Sequence, residues 1–84
     1  MTIRTLEKIH ELLRLDKERA EAQHEYDKER FKEFCAKNEI DDWGKNLTAE
    51  TREGYEVLRK RREDSRHAAS EARMALEEFR QQEW

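Results

Sequence analysis

Each of the three histidines follows a carboxylate by three residues: Glu7 precedes His10, Glu21 precedes His24, and Asp64 precedes His67. Two of these are the Glu-x-x-His spacing by which di-iron bundles present two ligands from one helix face. A working site would need further carboxylates converging at the same level. The register deduced below puts Ser65 beside His24 and Phe79 beside His10, so the spacing reads as local pairing between side chains one helical turn apart. Neither a metal nor a cofactor is expected. Cys35 is the single cysteine and has no histidine facing it. It reads as a small, partly buried filler rather than a nucleophile. No Ser-His-Asp set, phosphate-binding glycine loop or spaced cysteine pair occurs. The expectation is a protein that is not an enzyme and has no small-molecule substrate.

Two charged features remain. Arg52, Arg59, Arg66, Arg73 and Arg80 recur every seven residues, which on a helix is one row with ~10 Å steps. Such a row could track phosphates, but the run Arg59-Lys60-Arg61-Arg62 points in four directions and has Glu56, Glu63 and Asp64 around it. Ion-paired, solvated surface is the stronger reading, and nucleic acid is disfavoured as a partner. The second feature is Glu39, Asp41 and Asp42 beside Trp43. In outline this cluster resembles the acidic-tipped coiled-coil fingers of transcription cleavage factors. The resemblance covers only those few residues, and it implies an alternative function: regulation of a nucleic-acid machine through the tip (Asp41, Asp42, Trp43) or through the arginine row.

The elements that must carry these residues follow from periodicity. Thr51, Tyr55, Leu58, Arg62, Ser65, Ala69, Ala72, Leu76, Phe79 and Glu83 alternate in steps of four and three. That is the seam of a heptad helix. Ile3, Leu6, His10, Leu13, Lys17, Ala20, His24, Asp27, Phe31, Phe34 and Asn38 repeat the pattern earlier in the chain. Between them the period breaks and one of the two glycines appears. The spacing predicts one domain over 1–84: a helix over 3–37, a turn over 38–48 and a helix over 49–83. Thr2 or Thr5 can cap the first helix and Thr48 the second. Asn38 suits a left-handed helix end, and Ile40, Trp43 and Leu47 can plug the turn. Gly54 signals either close packing against the loop or a later helix start.

Folding the chain at the turn gives an antiparallel register in which facing residue numbers sum to 89. Phe34 then meets Tyr55, Phe31 meets Leu58, Asp27 meets Arg62, Ala20 meets Ala69 and Leu13 meets Leu76. Large side chains meet near both ends, small ones meet in the middle, and the seam arginine meets the seam aspartate. The predicted hairpin seam is therefore Leu6, Leu13, Ala20, Asp27, Phe31, Phe34, Tyr55, Leu58, Arg62, Ala69, Leu76 and Phe79.

One flank of that seam offers glutamates to the arginine row. The other carries Ile9, Leu12 and Tyr26 from the first helix with Val57, Ala68 and Ala75 from the second, and is too apolar to be a solvated edge. The fold class expected is all-α: an antiparallel two-helix coiled-coil hairpin, paired through this flank as a dimeric four-helix bundle. That architecture is similar to the small plasmid copy-number regulators of the Rop type, without a shared motif.

Composition fits such rods. The chain has 84 residues, 46% charged and 35% hydrophobic, with a net charge of −3, no proline and two glycines. The low net charge and periodic apolar positions set it apart from disordered chains. No segment approaches the ~20 apolar residues that span a bilayer, so no membrane partner is expected. The lone cysteine and charged N-terminal segment fit a cytoplasmic location. The expected function is a helical protein–protein interaction or scaffold module, partnered by a second copy or by another helical protein.

Overall fold

The computed structural model describes residues 2–41 and 44–82. Two helices, α1 (Ile3–Lys37) and α2 (Ala49–Gln81), lie side by side and antiparallel in a rod of 58 × 16 × 16 Å. The longest extent matches the ~52 Å expected of 35 residues rising 1.5 Å each.

Each helix starts on a threonine cap. Thr2 Oγ1 accepts from the Thr5 backbone N–H at 3.2 Å. Thr48 Oγ1 accepts from the Thr51 N–H at 3.3 Å, and Thr51 Oγ1 returns the favour to the Thr48 N–H at 3.1 Å. Here a threonine performs the reciprocal capping usually given to glutamate or glutamine. α2 thus starts at Ala49 and runs straight through Gly54. A methyl group at Gly54 would lie 2.8 Å from the Phe34 ring, so the glycine lets that ring lie against the α2 backbone. The close packing is with α1, not with the loop.

The chain reverses on a Schellman motif. The Ile40 N–H reaches back to the Cys35 carbonyl at 2.8 Å and the Glu39 N–H to Ala36 at 3.3 Å. Asn38 was expected to take the left-handed conformation, but Glu39 does so, at φ 54°. Asn38 stays near φ −100° because its side-chain amide donates to the Phe34 carbonyl at 2.9 Å. Ile40 is buried and Leu47 half-buried beneath the turn, whereas Trp43, the third expected plug, lies outside the described residues. α2 ends at Gln81, two residues before the expected 83. Gln82 is already extended.

Register is visible at three levels. His10 and Phe79 have ring centroids 6.1 Å apart. His24 Nδ1 lies 3.4 Å from Ser65 Oγ, and Phe31 packs against Tyr55 at 5.2 Å. The first two pairs have numbers summing to 89. The buried apolar residues are few: Ile40, Ala69, Leu76 and Phe79. Leu76, 1% exposed, is the one large side chain fully enclosed among the described residues. Leu6, Leu13, Ala20, Phe31, Phe34, Tyr55, Leu58 and Arg62 are only half-buried, as two helices cannot enclose a seam from all sides.

Candidate interaction surface

The rod presents a seam, two flanks and a tip. At mid-seam the expected Asp27–Arg62 ion pair does not form. Asp27 is buried and accepts from the amide of Gln23, one turn before it, at 3.1 Å. The Arg62 guanidinium lies over the Phe31 ring at 4.3 Å and approaches Glu63 at 3.7 Å. Each group has a nearer partner that demands less desolvation than a buried charge pair. Ser65 donates to the Arg62 carbonyl at 3.1 Å, which leaves its oxygen to accept from His24 Nδ1–H.

The arginine flank is paired mostly within each helix. Arg73 reaches across to Glu21 at 3.7 Å. Arg66 instead takes Glu63 at 2.7 Å, and Arg80 takes Glu77 at 3.7 Å while donating to His10 at 3.4 Å. Of the five α1 glutamates expected to face the row (Glu7, Glu11, Glu18, Glu21 and Glu25), three are bound by their own helix alone: Glu11 and Glu18 by Arg14, and Glu25 by Lys28. Partners three or four residues away cost less side-chain order than partners on another helix. The Arg14 hydrogen bond holds the Glu11 carboxyl below its ordinary range, and Glu11 in turn raises the Arg14 guanidinium. Arg52 and Arg59 form no ion pair among the described residues.

Asp41, the described member of the expected tip, is built into the turn. Its carboxylate accepts from the Lys45 N–H at 2.9 Å and its own N–H donates to the Asn46 side chain at 2.9 Å. Asn46 also donates to the Glu39 carbonyl at 2.5 Å. Asp42 and Trp43 lie outside the described residues.

The opposite flank is the distinctive surface. Leu12, Tyr26 and Val57 are 54%, 58% and 46% exposed. Ala68 and Ala75 are also exposed, and Ile9 is half-buried. Near mid-length this side holds a shallow groove lined by Tyr26, Arg30, Arg61 and Asp64 with the buried Asp27 and Ser65 at its floor. Leu12, Ala68 and Ala75 sit one or two heptads from groove residues and therefore share the side. Arg30 stacks on Tyr26 at 5.6 Å. Charges of both signs share this flank: Arg30, Arg61 and Asp64 line the groove, and Arg19 stands one heptad from both Leu12 and Tyr26.

Among the described residues no three of His, Cys, Asp and Glu converge as metal ligands, and no helix is long and apolar enough to cross a membrane. No protein-family model, curated protein or solved structure matches the chain.

Proposed function

We propose that this chain is a non-enzymatic interaction module that pairs with a second copy through the flank carrying Ile9, Leu12, Tyr26, Val57, Ala68 and Ala75, completing a dimeric four-helix bundle. The observation that carries this reading is the apolar flank left in water while, among the described residues, the rod encloses only one large side chain. A second hairpin laid on that flank would cover the half-buried seam from its open side and supply the apolar burial that a small chain lacks. The two exposed alanines would let helix axes approach closely. A cytoplasmic location accompanies the reading, on the strength of the single cysteine.

Light scattering across concentration tests it. The expected mass is twice 10.3 kDa at high micromolar protein, and Ala68→Glu with Ala75→Glu should return the chain to a monomer with its helicity intact. A native chain that stays monomeric would refute self-association. The alternative, a regulator of a nucleic-acid machine, draws on Arg52 and Arg59, the two arginines of the row that form no ion pair among the described residues. It calls for a salt-dependent mobility shift of duplex or single-stranded nucleic acid that is lost on Arg59→Gln.

A further inference from the structure

We draw no further inference here: the strongest candidate, the mid-length groove with the buried Asp27 and Ser65 at its floor, lies on the apolar flank already described, and nothing in the structure shows what covers it.

Discussion

Replacing Gly54 by alanine should destabilise the hairpin even though alanine is the better helix former. In an exposed helix interior the change is worth about 1 kcal/mol in alanine's favour. Gly54, however, faces α1, and the added methyl would stand 2.8 and 2.9 Å from two Phe34 ring atoms. Such a distance forces the half-buried ring to move. Overpacking of this kind costs about 1–3 kcal/mol. The two effects leave a net loss of about 0–2 kcal/mol, a fall in Tm of up to about 16 °C for a domain of this size. Thermal unfolding followed by circular dichroism would read it, at one fixed protein concentration because self-association also shifts Tm. The sharper test is the sign change. In a Phe34→Leu background the clashing ring atoms are gone, and Gly54→Ala should then stabilise by about 1 kcal/mol. A native-background Gly54→Ala variant with Tm raised by the full helix-propensity gain would show that the ring does not need the space.

Other consequences are as direct. Leu76→Ala should cost about 2–3 kcal/mol in chemical denaturation, the lower part of the usual range, because a two-helix seam can relax around the gap. A double-mutant cycle on Asp27 and Arg62 should return a coupling energy near zero, while the Gln23–Asp27 cycle should give about 1 kcal/mol; strong Asp27–Arg62 coupling would restore the pair that the structure lacks. Arg14→Met should raise the Glu11 carboxyl midpoint, seen by NMR titration, toward its ordinary range. A folded-state carboxyl held low favours folding above its unfolded pKa and loses that as pH falls through the folded pKa, so any stability difference between native and Arg14→Met should shrink on acidification.

The two helices and their reversal were legible because the seam repeats without a gap from Ile3 to Phe34 and from Thr51 to Phe79. The His24–Ser65 level could be found by matching large with large and small with small. The Asp27–Arg62 pair was not legible as absent. Spacing gives height on a rod, but not which of several equidistant partners a long side chain takes, and Gln23 and Phe31 each stood one turn away. The arginine row failed for the same reason: heptad position names the flank, whereas i,i+3 neighbours on the same helix win the ion pair. The helix end at Asn38 went to Glu39 because the choice depends on backbone hydrogen bonds to Cys35 and Ala36, not on residue preference alone. The apolar flank could be read as exposed from position. Its partner has no counterpart in the pattern of one chain and rests on the experiments above.

The hydrogen-bonded reversal also acts as a ruler. A seam that mixes lysine, histidine, serine and alanine among its leucines and aromatics opposes a one-heptad slip mainly through the matching of side-chain size. Slippage would require the connection to lengthen or shorten by seven residues. Asp41, Asn46 and the Ile40–Cys35 bond fix that connection at its present length. Alignment of the whole rod is therefore set at one end, by a few short-range bonds, and passed along two stiff helices to side chains some 50 Å away. A lesion in the turn should consequently misplace the flank residues near the open end, Leu12 and Ala75 among them, without touching either one.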